Sequence, residues 1–165
     1  MNKLYMPVGI PRIGKSTWAR KLRMPIVSPD AIRLALHGQA FVALAEPFVW
    51  AIAQTMVRAL FGAGHDKIIL DATNTTKKRR DEWASKGWER SFFVFPVDRD
   101  LAVERAFEVD FPIPVLDRMI ASFEALDIGE FRDWETEREI NFFTKEKPLT
   151  EEQLQEGGGE CETLS

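Results

Sequence analysis

The chain has 165 residues, 45% of them hydrophobic and 29% charged, with a formal net charge of -4. That composition supports one ordinary core and excludes both a disordered chain and a broadly basic wrapper of nucleic acid. The single cysteine, Cys161, excludes an internal disulfide, and with only two histidines a zinc site is excluded as well.

Leu4 to Val8 is a short apolar run ending at Gly9, and the mixed apolar and basic segment from Lys15 to Leu22 follows as a helix, so the chain opens as strand, loop, helix. A second strand is expected at Pro25 to Ser28. Ser28 reads as an N-cap with Pro29 at the first helical position, leading a helix to about Leu36 that His37-Gly38 stops. From about Glu46 to Phe61, apolar residues recur at helical spacing (Phe48, Ile52, Met56, Leu60) until Gly62 to Gly64 ends the run. Lys67 to Asp71 then reads as a buried strand.

A polar, basic helix is expected from Thr76 to Lys86, followed by a strand from Ser91 to Val97 that is apolar on both faces and so belongs inside a covered parallel sheet. Helices at about Asp100 to Glu108 and Ile113 to Leu126 flank a joint at Pro112. Arg138 to Phe143 is the candidate fifth strand. The expected organisation is one domain over residues 1–147 and a flexible acidic tail, rich in glutamate and glycine, over 148–165. Strands alternating with helices give an α/β layered fold. No run reaches the roughly 20 apolar residues that span a bilayer, and the start is too short in apolar residues for a signal peptide. A cytoplasmic protein with no membrane partner is expected.

Gly9-Ile10-Pro11-Arg12-Ile13-Gly14-Lys15-Ser16 fits GxxxxGK[ST] between the first strand and the first helix, with Thr17 next in line. Successive backbone N–H groups at a helix N-terminus form a positive concavity for phosphates. Lys15 adds a point charge toward the β- and γ-phosphates, and Ser16 offers a hydroxyl to Mg²⁺. Pro11 and Ile13 stand where many such loops have small residues, and stiffen it. Asp30 and Arg33, three apart on the second helix, share one face. Either they take a proton from an attacking hydroxyl and grip a phosphate, or they are a first-turn acid and a surface arginine. Asp71, at a strand end, suits the hydration shell of Mg²⁺, or caps the loop after it. Lys77-Lys78-Arg79-Arg80 falls at the positive end of its helix, where cations are disfavoured, which points to nucleic-acid phosphates nearby or to a solvated basic face.

The segments GIPRIGKSTWARKL, SPDAIRLALHG and LDATNTTKKRRDEW together resemble the kinase domain of phage polynucleotide 5′-hydroxyl kinases and related small P-loop kinases, including the zeta-toxin-like group, over residues 4 to 143. Phe111 to Met119, FPIPVLDRM, resembles the segment after that family's mobile lid. The resemblance implies a parallel sheet of about five strands flanked by helices, a short lid, and the use of ATP or another NTP with Mg²⁺. It makes Asp30 the general base, Arg33 the grip on the substrate phosphate, and Thr73 and Asn74 the site floor. Asn74, Arg79 and Arg80 join Arg33 as expected substrate contacts. Arg105, in Val103-Glu104-Arg105, matches the first lid arginine, while the second has no counterpart and only Arg99 and Arg118 stand nearby. The implied activity is transfer of the γ-phosphate to the 5′ end of a nucleic acid. A kinase of a small molecule or sugar nucleotide, or a regulator that binds the nucleotide without transfer, are the alternatives.

Overall fold

The structure is a computed structural model in which residues 1–127 and Glu130 are described. Strands β1 (Lys3–Val8), β2 (Ile26–Val27), β3 (Lys67–Leu70) and β4 (Glu89–Val94) form one parallel sheet in the order β2-β3-β1-β4. Four strands therefore stand among the described residues where about five are expected. The candidate at Arg138 to Phe143 lies outside them.

Alternation along the strands explains the layers. Leu4, Met6 and Val8 of β1, Ile68 and Leu70 of β3 and Phe92 of β4 pack on one face with Val49, Ala53, Val57, Trp83 and Trp88. Tyr5, Ile69 and Phe93 point the other way, toward Trp18 and Ala19 of α1 (Lys15–Lys21). Each fully buried aliphatic side chain in these layers stabilises the fold by about 1.5–3 kcal/mol relative to its exposed state. A third cluster, Ile10, Ile13, Ala102 and Leu116, packs the loop after β1 onto α5 (Arg99–Phe107) and α6 (Ile113–Ala121).

Local capping sets the helix that follows β2. In α2 (Pro29–His37) the Ser28 hydroxyl accepts from the Ala31 N–H at 3.4 Å, and Gly38 closes the helix at a left-handed φ of 63°. The helix α3 (Glu46–Gly62) also forms where its apolar spacing predicts. Its inward stripe, however, is Val49, Ala53 and Val57, and the bulkier Phe48, Ile52 and Met56 face solvent. Small residues let the helix lie close on the sheet.

Three expectations are corrected. The strand expected at Ser91 to Val97 starts and ends earlier and is an edge strand among the described residues, so Val94 meets solvent. The helix expected from Thr76 to Lys86 is one short turn, α4 (Lys77–Asp81), because Arg80 and Trp83 are drawn fully into the interior. The helix expected to reach Leu126 ends at Ala121, since the Glu124 N–H bonds instead to the Thr75 carbonyl at 2.8 Å and pulls the chain toward α4. No helix among the described residues is long and apolar enough to cross a membrane.

Candidate functional site

The loop from Gly9 to Gly14 joins the end of β1 to α1. Gly9 is required by close approach: a Cβ there would sit 2.9 Å from the Cβ of Phe95. Its N–H donates to the Thr73 carbonyl at 3.0 Å, which fastens the loop to the segment after β3. Ile10, Pro11 and Ile13 are buried, and Thr17 is exposed on the first turn of α1. Arg12 and Gly14 take positive φ values of 66° and 102°. Left-handed residues within a tight loop turn successive N–H groups into one concavity, the kind that receives anions.

Lys15 is buried at the loop's base, and its ammonium donates to the Ile10 carbonyl at 2.6 Å. Burial lowers the amine to about 8, against the pull of Asp71 and Asp30 and with a further push from the Arg12 charge. The Ser16 hydroxyl donates to Oδ1 of Asp71 at 3.0 Å, just past the end of β3. Burial raises the Asp71 carboxyl, and the Ser16 hydrogen bond and the Lys15 charge offset part of that rise. Lys15, Ser16 and Asp71 thus come together. A hydroxyl beside one carboxylate suits Mg²⁺, which takes oxygen ligands and commonly completes its shell with water and substrate phosphates. Among the described residues no cluster of three or more His, Cys, Asp or Glu offers a protein-only metal cage.

Asp30 stands exposed in the first turn of α2, and its charge reaches both Lys15 and Asp71. Arg33 Nη1 donates to it. On its other side, Nε and Nη2 form a fork on the two Glu46 oxygens, both at 2.7 Å, and the Trp50 indole N–H adds a bond to Glu46 at 3.2 Å. Three of the five Arg33 N–H groups are thus taken up by carboxylates. The geometry makes it a brace for Asp30 instead of the expected open grip. Glu46 and Trp50 escaped the sequence reading, which had no local signal beyond an acid at a helix start.

The remaining expected substrate contacts divide. Asn74, at φ 50°, is turned inward, and its side-chain amide donates to the Pro7 carbonyl at 2.9 Å, so it ties β1 to the neighbouring loop instead of lining an opening. Arg80 is fully buried. Its nitrogens donate to Glu130 at 2.6 and 3.0 Å and to the backbone oxygens of Asn74, Glu124 and Ala125. It has no donor to spare for a substrate, which corrects the expectation for it. Arg79 pairs with Glu82 at 2.6 Å and stacks on Trp50, 3.9 Å from the ring centroid. Lys77 pairs with Asp81 and Asp127 at 3.2 and 3.1 Å. The adverse charge at the start of α4 is therefore neutralised by the chain's own acids.

Arg105 reaches the loop from α5: its Nη1 donates to the Arg12 carbonyl at 3.3 Å and lies 3.7 Å from where a Cβ on Gly14 would stand. Arg99 is held by Asp117 at 2.9 and 3.3 Å, and Arg118 donates to the Pro114 carbonyl.

Known proteins share this arrangement of strand, loop and helix. The model of a family described as AAA domain matches residues 4–126. Among solved structures, a chain from the Pnkp1/Rnl/Hen1 complex is 27% identical, with a TM-score of 0.58 over 63% of this chain and 38% of that one. A chain from the Pnkp1/Rnl/Hen1 RNA repair complex is 21% identical, with a TM-score of 0.57 over 79% of this chain and 42% of that one. An unliganded sugar kinase from Janibacter sp. HTCC2649 is 19% identical, with a TM-score of 0.57 over 78% of this chain and 81% of its own. At such identities the last two establish a shared fold. The chain spans about two fifths of the length of the first two. No curated protein matches it.

Proposed function

The chain belongs to the AAA domain family, and we propose that its P-loop kinase-type domain transfers the γ-phosphate of ATP, or another NTP, to a hydroxyl group. The observation that carries this reading is the buried Lys15 beside the Ser16–Asp71 pair, with Asp30 across the opening close enough for its charge to act on both Lys15 and Asp71. Loop amides from Arg12 to Gly14 and the Lys15 ammonium hold the phosphates. Ser16 and Asp71 would hold Mg²⁺, which would supply charge neutralisation when bound. Asp30 accepts the proton of the acceptor hydroxyl while the acceptor oxygen bonds to the γ-phosphorus, the bond from the γ-phosphorus to the β-phosphate oxygen breaks and ADP leaves. Arg105, already over the loop, meets the charge of the group in transit. Arg33 and Glu46 fix the direction of the Asp30 carboxylate.

The acceptor we favour is the 5′-hydroxyl end of a nucleic acid. The three resembling segments support it, as does the likeness to the 27% identical chain of the Pnkp1/Rnl/Hen1 complex. A second reading, a small hydroxyl acceptor such as a sugar, draws on the neutralised basic run: only Lys78 of Lys77 to Arg80 has no carboxylate partner among the described residues. Transfer of labelled γ-phosphate to 5′-hydroxyl oligonucleotides, nucleosides and sugars, measured side by side, tests both. Label on oligonucleotides alone supports the first reading and label on sugars the second. Nucleotide binding without label on any acceptor would reject transfer altogether and leave a nucleotide-binding regulator.

A further inference from the structure

Arg12 holds a φ of 66° in the middle of the loop. A side chain there crowds its own backbone, a cost that glycine does not carry. Strain of this kind persists where the surrounding structure enforces it, and it gathers at functional sites. The neighbours on either side, Pro11 and Ile13, are buried, whereas Arg12 stands in solvent with its guanidinium 5.1 Å from the Phe111 ring centroid. The loop thus projects one long cation at the entrance to α6.

Several cations on the helices are held by carboxylates, while Arg118 donates to the Pro114 carbonyl. Arg33 is held by Asp30 and Glu46, Arg79 by Glu82 and Arg99 by Asp117. Among the described residues neither Arg12 nor Arg105 has a carboxylate partner. These two are joined to each other, since Arg105 Nη1 donates to the Arg12 carbonyl, and the Arg12 charge already acts on Lys15. Three like charges gathered at one small loop, from the loop itself, α1 and α5, repel in the absence of a ligand and become favourable around a polyanion whose charge is moving.

Resting on the phosphotransferase reading above, we propose that Arg12 is a catalytic residue: its guanidinium donates to the phosphoryl group in transit, so that the loop supplies a second positive group beside Arg105. The transfer itself is unchanged, with the acceptor proton passing to Asp30 and ADP leaving. Arg12 and Arg105 stabilise the equatorial oxygens between bond breaking and bond making.

Arg12→Gly separates this role from a structural one, because glycine favours the same backbone conformation. Melting temperature, ADP affinity by calorimetry and kcat for labelled transfer to the acceptor that wild type uses would be compared for wild type, Arg12→Gly and Arg12→Lys. The expected result for Arg12→Gly is a kcat lower by about 100-fold, an ADP affinity within about twofold, an undiminished melting temperature, and partial recovery of kcat on adding guanidinium ion at low millimolar concentration. Arg12→Lys should fall between, since an ammonium keeps the charge but not the planar fork. Unchanged kcat in Arg12→Gly, with wild type active, overturns the assignment and spares the kinase reading. A loss of kcat matched by a loss of ADP affinity also overturns it, because Arg12 would then hold the ground-state nucleotide. Absence of transfer by wild type to every acceptor removes the kinase reading, and this assignment with it.

Discussion

Lys15 shows how one side chain can be tuned by burial before any ligand arrives. Its amine is lowered from 10.5 to about 8 by desolvation. The unfolded chain therefore binds more protons than the folded one between those values, and stability rises with pH across the window. Below pH 8 the penalty is fully present; above 10.5 it is gone. Lys15→Met removes the ionisable group, so the stability of wild type relative to this variant should climb between pH 8 and 10.5 and stay flat below. Urea unfolding of the ligand-free proteins at a series of pH values measures this, and parallel curves across the window would refute it. A bound phosphate works in the opposite sense, because a nearby anion favours the charged amine.

At the scale of elements, α2 and α3 share the buried cluster of Ile32, Val49 and Ala53 and are joined besides by the fork between Arg33 and Glu46. The hydrogen bonds from Arg33 hold the Glu46 carboxyl below its ordinary value of 4.5, against the opposing effect of burial. That stability is present above pH 4.5 and is lost as pH falls through the lower folded-state value. Glu46→Gln should cost about 1–2 kcal/mol at neutral pH, the fork being partly solvent-screened, and should flatten the acid limb of the stability curve. If the brace also aims Asp30, kcat should fall at least tenfold with the KM for ATP nearly unchanged, and loss of stability without loss of kcat would confine Glu46 to the fold. None of this was legible in the sequence, because a first-turn acid is expected at any helix start. The start of α2 was legible because its instructions are local: Ser28 and Pro29 at one end, Gly38 at the other. The loop was legible for the same reason. By contrast, α4 depends on partners far along the chain. The acid that receives Arg80 lies 50 positions later, so the basic run looked like a surface when one of its four cations is a buried anchor. The stripe on α3 misled for a related reason: periodicity marks the helix, but close approach to the sheet decides which stripe faces in.

For the molecule as a whole, the Arg80–Glu130 pair ties the segment after α6 to the end of β3 through Asn74, Glu124 and Ala125. Arg80→Gln should cost about 3–5 kcal/mol, since it strands the buried Glu130 carboxylate; chemical denaturation would measure it, and a cost below 1 kcal/mol (about a tenth of a typical domain's stability) would mean that water reaches the pair. The surface outcome is the reverse. If oligonucleotides are the acceptors, changing Lys77, Lys78 and Arg79 to glutamine should alter the salt slope of acceptor affinity by no more than about 0.7, one phosphate contact on a single strand. A change of two contacts or more would mean that the ion pairs of α4 open onto the acceptor.

The position of β1 between β3 and β4 has a consequence for how the chain acquires its shape. Lys3 is in register with Lys67 on one side and Glu89 on the other, so the strand that carries the phosphate loop has no partner nearby in sequence. During synthesis its first ladder waits for β3 to emerge and its second for β4, and the loop stays unanchored until then. Closing such long segments before any pairing repays the entropy slows folding. In pulse-labelled hydrogen exchange during refolding, the amides of α3, whose backbone hydrogen bonds are local, should gain protection before those of β1 and the loop that follows it.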